Sequence, residues 1–391
     1  MDERELRDIL DTVREFVRGE VVPAEEYIDE HDEIPAPIRA KAKAMGLYGF
    51  TIPTGYGGLG LSVGEEVRLV MELGYTTPAF RSLFGTNNGI AGHVLLEGAT
   101  EEQRNAYLPK LASGEWTASF ALTEPEAGSD PSTLTTAAYL DGAEWVITGS
   151  KRYITNAPSA DVFMVFARTD PRAPANRGIS TFLVERDRPG LTVGPKDHKM
   201  GQAGAFTADV HLDGVRVPAD RLIGDEPGLG YLTALRCLAH GRIHIAALCV
   251  GLMQRLVDES ARWAATRRQS GRVIGEFQLV QGMLADSQTD LMAARALVQA
   301  AAADYQSGAD TRVGPSCAKY FASEAVCRVA DRAVQIHGGA GYMRGVPVER
   351  LYRDARLFRL YEGTSQIQQL IIGREVLKAA RQTVGVGHGH A

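Results

Sequence analysis

Four cysteines in 391 residues, Cys237, Cys249, Cys317 and Cys327, are too few and too scattered for a disulfide or zinc framework. None forms a C-x-x-C pair and all four fall in helix-like segments, so they read as reduced, buried thiols. Basic residues are also short. Against 48 Asp and Glu there are 42 Lys and Arg, and the net charge of −6 argues against a nucleic-acid partner. Long apolar runs are missing: the longest near-apolar stretch, Ile243 to Met253, is interrupted by His244 and is too short to span a bilayer. The acidic N-terminus carries no basic-then-apolar pattern, so a cytoplasmic protein without membrane insertion is expected. No G-x-G-x-x-G follows a strand, and neither a G-x-x-x-x-G-K-[ST] loop nor an H-E-x-x-H spacing occurs. Rossmann, P-loop and metal-centred sites are not indicated, and no metal is expected.

What is present is an ordinary globular composition, 45% apolar and 23% charged, with length enough for two or three domains. Up to about residue 120 the pattern is helical. Leu6, Ile9, Leu10, Val13, Phe16, Val17 and Val21 form one stripe that Pro23 ends, and further helices are predicted over 37–45, 63–73, 83–96 and 101–111. The glycine-rich run 53–60 between them is a loop. From about 120 to 225 short strands take over, with Asp141-Gly142 and Asp213-Gly214 as hairpin dipeptides and Val162–Ala167 and Ile179–Val184 as buried strands. Long helices return from Leu229 and suggest a bundle. The expected order is an N-terminal α domain (1–118), a middle β domain built as a barrel or sandwich (119–226) and a C-terminal α bundle (227–391). A Gly/His string at 384–391 reads as a frayed tail.

Five stretches carry candidate chemistry. At 359–375, Glu362 stands between Tyr361 and Gly363, ahead of a helix whose first residues include Thr364 and Gln366. An adjacent ring can desolvate the carboxylate toward a general base, and free N–H groups at the helix start face an anion. Phe120-Ala-Leu-Thr-Glu-Pro-Glu-Ala-Gly-Ser-Asp130 is a strand running into a donor-rich loop. Lys151-Arg-Tyr-Ile-Thr-Asn156 offers Tyr153 for stacking and Thr155 for bonding a flat heterocycle. The basic, Gly-broken stretch 267–278 and Gln335-Ile-His-Gly-Gly-Ala-Gly-Tyr342 can each cradle phosphate. Alone, each also fits an ordinary polar turn, amphipathic strand or helix cap.

In this order and together, these stretches resemble the acyl-CoA dehydrogenase family over nearly the whole chain. The resemblance implies an α+β fold: N-terminal all-α domain, middle β-barrel domain and C-terminal four-helix bundle. It implies FAD held between the last two domains and a homotetramer whose neighbouring subunits complete the flavin sites. It also implies an acyl-CoA substrate of fatty or branched-chain type and an electron-transferring flavoprotein as electron acceptor. By position, Glu362 matches the base that removes the α-proton while the β-hydride leaves to the flavin, giving a trans-2-enoyl-CoA.

By the same matching Phe120, Leu122, Thr123, Gly128 and Ser129 line the flavin, with Ser129 also facing the acyl-CoA. Tyr153 stacks on the ring system and Thr155 bonds near N5. Arg267 and Gln278 reach FAD across the subunit interface, Gln335, Gly338 and Gly339 meet its adenine and pyrophosphate, and Thr364 and Gln366 contact it from the near subunit. Arg242 matches an arginine near the pantetheine and the base, and Tyr361 and Gly363 flank the substrate.

Two departures matter. Ser270 stands where many members have a phenylalanine before Gly271. Gly241 occupies the place of the glutamate that serves as base in some branched- and long-chain members, which concentrates that role on Glu362. Phe80-Arg81-Ser82 resembles the glutaryl-CoA branch, in which an arginine meets the distal carboxylate; Arg81 is therefore a substrate-binding candidate. A glutaryl-CoA-like dehydrogenase, a flavin oxidase or monooxygenase on the same fold, and a non-catalytic assembly protein remain as alternatives.

Overall fold

Asp2 starts the first helix, α1 (Glu3–Phe16), with a capping box: its carboxylate accepts from Arg4 N and Glu5 N while Glu5 reaches back to Asp2 N. The stripe Leu6, Leu10, Val13 and Phe16 faces inward, and a π-helical turn at Val17–Val21 carries the buried face on to Val21. The structure, a computed structural model, describes residues 1–386; the part of the Gly/His tail beyond Val386 lies outside the described residues. Helices α2 (Glu25–His31), α3 (Ala36–Ala44), α4 (Val63–Leu73), α5 (Pro78–Asn88), α6 (Ile90–Gly98) and α7 (Glu101–Ala112) follow.

Two compact units form. One joins Met1–Ser62 with Thr77–Gly241; the other joins Val63–Thr76, which contains α4, with Arg242 onward. In the first unit, the single helix predicted over 83–96 is two helices that meet at Gly89. The reason is a pair of fully buried asparagines. Asn88 donates to Leu47 O and Phe84 O and accepts from Thr51 N, while Asn87 donates to Leu111 O and Trp116 O and accepts from Ala118 N. Their amides tie the helix end to three other segments, and straight continuation would break those bonds.

The sheet of this unit is curled and seven-stranded: β1 (Ala118–Ala121), β2 (Ala137–Asp141), β3 (Glu144–Thr155), β4 (Val162–Arg168), β5 (Ile179–Glu185), β6 (Leu191–Val193) and β7 (Thr207–Pro218), with a short helix α8 (Ala175–Gly178) before β5. Strand β4 pairs parallel to β1 and antiparallel to β5 and is buried on both faces. Val162, Met164 and Phe166 pack with Leu95, Leu108 and Leu111 of the helices, and Phe163, Val165 and Ala167 with Ile147, Val210 and Val215 of the sheet. That alternation is the period-two geometry of a strand.

Asp141-Gly142 makes the expected hairpin, pairing Asp141 with Glu144. Asp213-Gly214 does not. The residues on both sides of it pair with β3, Leu212 opposite Gly149 and Val215 opposite Ile147, so β7 is one strand and the dipeptide is a bulge opposite Thr148. Asp213 N donates to Gly190 O and Gly214 N to Thr148 Oγ1, which satisfies the bulged backbone.

Helix α9 (Gly230–Thr266) is 37 residues long and runs from the first unit into the second. It is the one helix among the described residues long and apolar enough to cross a membrane, and its apolar window is mostly buried inside the protein. A two-stranded ribbon, β8 (Arg268–Gln269) and β9 (Arg272–Val273), leads to α10 (Gln278–Ser307), α11 (Val313–His337), α12 (Pro347–Ala355) and α13 (Ser365–Val386). Helix α11 packs against α10, α12 and α13, and α4 against α10. The order is helices, sheet, helical bundle.

Candidate active site

In the second unit, a short turn at Arg356–Arg359 ends α12's run, and the chain then reverses through Tyr361, Glu362 and Gly363 into α13. Both Glu362 and Gly363 are left-handed, at φ 56° and φ 84°. For glycine this is ordinary; for a glutamate it is a held conformation. Thr364 caps α13, its hydroxyl accepting from Ile367 N at 3.3 Å. Glu362 and Tyr361 are half-buried, and the Tyr361 ring packs 5.8 Å from that of Phe358.

Three buried or half-buried groups hold this reversal. The fully buried Gln368 amide donates to Glu362 O at 3.1 Å and to Gly363 O at 3.0 Å. Lys319 Nζ, from the second turn of α11, donates to Gly363 O at 2.6 Å. Glu324, one turn on, accepts from Ser365 Oγ at 2.6 Å and from Arg359 Nε at 2.7 Å.

Charge converges on the same place. Arg242 on α9 is buried; burial pushes its guanidinium below its ordinary value, Glu362 pulls it back, and Arg312 adds to the lowering. Burial likewise pushes Lys319 down to about 8, opposed by Cys249 and Glu362 and reinforced by Arg242. The Glu362 carboxylate thus acts electrostatically on two buried cations, and Glu324 acts on one of them. The preceding residue of α9 is Gly241, which has no side chain to offer as a second base.

Two other candidates of this unit line an open cleft of about 760 Å³. Gln278, the first residue of α10, and Gln335, near the end of α11, both line it, with Arg272 and Phe277. Just past Gln335, Gly338 and Gly339 are exposed, and a Cβ built on either meets nothing within 4 Å. Arg267 is exposed at the end of α9, and Gln366 is exposed on the first turn of α13. Ser270 forms the turn of the ribbon with Gly271, both left-handed, at φ 52° and 76°. Exposed amides, a cation and open backbone make a donor set that fits the phosphates and base of a dinucleotide.

In the first unit the two strand motifs lie side by side. Arg152 N donates to Thr123 O at 2.8 Å, and Ser119 Oγ to Thr155 O at 2.7 Å. Phe120 and Leu122 are buried, the Phe120 ring packed 4.7 Å from Phe166, so these two offer a ligand mainly backbone. Thr123 is half-buried; Gly128 and Ser129 are exposed on a loop closed by paired backbone bonds between Glu124 and Ala127. Tyr153 is 60% exposed at φ 58°, and Thr155 is half-buried. Arg81 lies along α5, with its Nε 2.7 Å from where a Cβ on Gly85 would stand.

Lys319, Gln368 and the buried Lys151–Glu124 pair are not singled out by the sequence motifs. The available signal was a charged residue on an apolar helical stripe: Lys319 keeps 3–4 spacing with Ala322, Val326, Val329 and Ala333, all buried.

Comparisons with known proteins agree over most of the chain. The family described as acyl-CoA dehydrogenase, N-terminal domain, matches residues 3–115; its middle domain matches 119–215 and its C-terminal domain 228–377. An acyl-CoA dehydrogenase of Bacillus subtilis is 40% identical over 93% of this chain and 96% of its own. The caffeyl-CoA reductase-Etf complex subunit CarC of Acetobacterium woodii is 37% identical over 90% of this chain and 92% of its own. Among solved structures, glutaryl-coenzyme A dehydrogenase in its glutaryl-CoA complex superposes with a TM-score of 0.91 at 34% identity, covering 97% of both chains. Flavoprotein oxidoreductases that act on a CH–CH group are thus the company this chain keeps, and it belongs to the acyl-CoA dehydrogenase family.

Proposed function

We propose that this protein oxidises an acyl-CoA thioester to a trans-2-enoyl-CoA, with Glu362 as the only base. The observation that carries the reading is Glu362 on its left-handed turn, its carboxylate acting electrostatically on two buried cations. An ionised carboxylate is what α-proton removal requires, and the cations favour that form without themselves accepting the proton. Arg242, which is buried, would meet polar groups of the thiol ester's pantetheine. Tyr361 and Gly363 border the acyl chain, and Ser129 contacts the substrate.

FAD, when bound, supplies the acceptor for the β-hydride. Phe120, Leu122, Thr123, Gly128, Ser129, Tyr153 and Thr155 would hold its ring side. Arg267, Gln278, Gln335, Gly338, Gly339, Thr364 and Gln366 would hold its remaining length. An electron-transferring flavoprotein is the electron acceptor; the name of the Acetobacterium relative supports that partner. A homotetramer is supported by the exposed apolar side chains Leu279, Tyr342, Met343, Leu370 and Leu377 in the second unit.

Anaerobic titration with butyryl-, isobutyryl- and glutaryl-CoA, read as flavin bleaching, tests the reading. Glu362→Gln should retain FAD and bind acyl-CoA without bleaching; bleaching at the wild-type rate removes the base assignment. Fast reoxidation by O2 would instead mark an oxidase. Arg81 and the similarity to glutaryl-coenzyme A dehydrogenase favour one second reading, a dicarboxylyl-CoA substrate.

A further inference from the structure

We propose that Lys319 is a positioning residue for the base: by holding the Gly363 carbonyl it fixes the turn on which Glu362 stands and directs a positive charge at that carboxylate. The inference rests on Glu362 being the base and goes beyond it, since no motif of the chain points to Lys319.

Lys319 is fully buried on α11, and among the described residues its ammonium forms no ion pair. Its hydrogen bond goes to a neutral carbonyl, Gly363 O, at 2.6 Å. Holding that carbonyl alone does not need a buried charge, because the Gln368 amide already reaches the same oxygen at 3.0 Å. A buried ammonium is costly unless a negative charge shares its surroundings. The groups that act on it electrostatically are Cys249 and Arg242 from α9, Glu324 from its own helix, and Glu362. Glu324 is already engaged by Arg359 and Ser365. Glu362 also acts on the ammonium, one residue from the carbonyl that Lys319 grips.

The two functions separate by substitution. Lys319→Met removes donor and charge at similar volume; Lys319→Gln keeps an N–H donor and removes only the charge. Both are measured as purified holoenzymes by anaerobic stopped-flow bleaching with butyryl-CoA between pH 5 and 9. Lys319→Met is expected to keep FAD and acyl-CoA affinity while the limiting bleaching rate falls on the order of tenfold to a hundredfold. Its acidic limb should move to higher pH, because a lost cation raises a carboxylate's pKa. Lys319→Gln should recover part of the rate but keep the shifted limb. A merely structural lysine would lower the melting temperature and FAD content and leave the limb in place.

If Lys319→Met does not fold, Lys319→Gln alone decides through its limb. Wild-type rate and limb in a folded variant overturn the proposal. Glu362→Gln, run beside them, keeps the two readings apart: its bleaching at the wild-type rate defeats the base assignment, whereas an inert Glu362→Gln next to a wild-type-like Lys319→Met defeats only the role of Lys319.

Discussion

Lys151 Nζ donates to Glu124 Oε1 at 2.7 Å, with the lysine side chain fully buried and the carboxylate 3% exposed. Glu124 also accepts from Thr136 N at 3.0 Å and from the backbone and hydroxyl of Thr135 at 2.6 and 2.8 Å. Burial pushes this carboxyl up, but the ammonium and the threonine donors outweigh it and bring it from 4.5 to about 2. Its contribution is therefore complete above the ordinary value of 4.5 and is lost as pH falls from there to about 2. Lys151→Met leaves that charge buried and unpaired, and should cost about 3–5 kcal/mol in urea unfolding at pH 7. Lys151→Met with Glu124→Leu should recover most of the loss. A single variant as stable as wild type would contradict the pairing, whose lysine also donates to the Leu122 carbonyl.

Helix α9 crosses the end of α4 backbone against backbone. A Cβ added at Gly251 would stand 2.2 Å from Met71 O and 2.7 Å from Gly74 Cα. Gly251→Ala must push the two segments apart, an overpacking cost on the order of 1–3 kcal/mol. Thermal melting reads it directly, and an unchanged midpoint would mean that the crossing adjusts freely.

How far the sequence carries depends on whether a feature is set locally. Helices α4 and α7 and strands β4 and β5 are legible because apolar spacing and local turn signals agree. Asp213-Gly214 misleads because a bulge and a hairpin share the same dipeptide, and only the partner strand decides. The break at Gly89 follows from where the amides of Asn87 and Asn88 find partners, which lie up to 41 residues away in the chain. At the candidate site, Glu362 is legible through its motif neighbours. Its left-handed φ and the Lys319 bond to the next carbonyl, Gly363 O, are not, because a lysine on an apolar stripe reads as an irregularity until the turn it reaches is in place.

Arg81 separates the two substrate readings. Turnover of butyryl-, isobutyryl- and glutaryl-CoA is measured for wild type and Arg81→Ala. A guanidinium that meets a distal carboxylate makes a charge-assisted bond, so its loss should lower glutaryl-CoA turnover about tenfold to a hundredfold and spare the monocarboxylyl substrates. Equal losses on all three would exclude the dicarboxylyl reading.

Gly363→Ala tests the turn from the other side. At φ 84° an alanine is strained by roughly 1–2 kcal/mol, and its Cβ would stand 2.6 Å from Gln368 Nε2. The Gln368 amide must then leave the carbonyls of Glu362 and Gly363, while the Lys319 bond on the opposite helix has no such clash. The expected result is a folded flavoprotein with a modestly lower melting temperature and slower bleaching by butyryl-CoA. Acyl-CoA binding should change less than the bleaching rate, because the displaced amide holds the backbone that carries Glu362. Wild-type bleaching in this variant would mean that the left-handed turn is incidental to how Glu362 meets the α-proton.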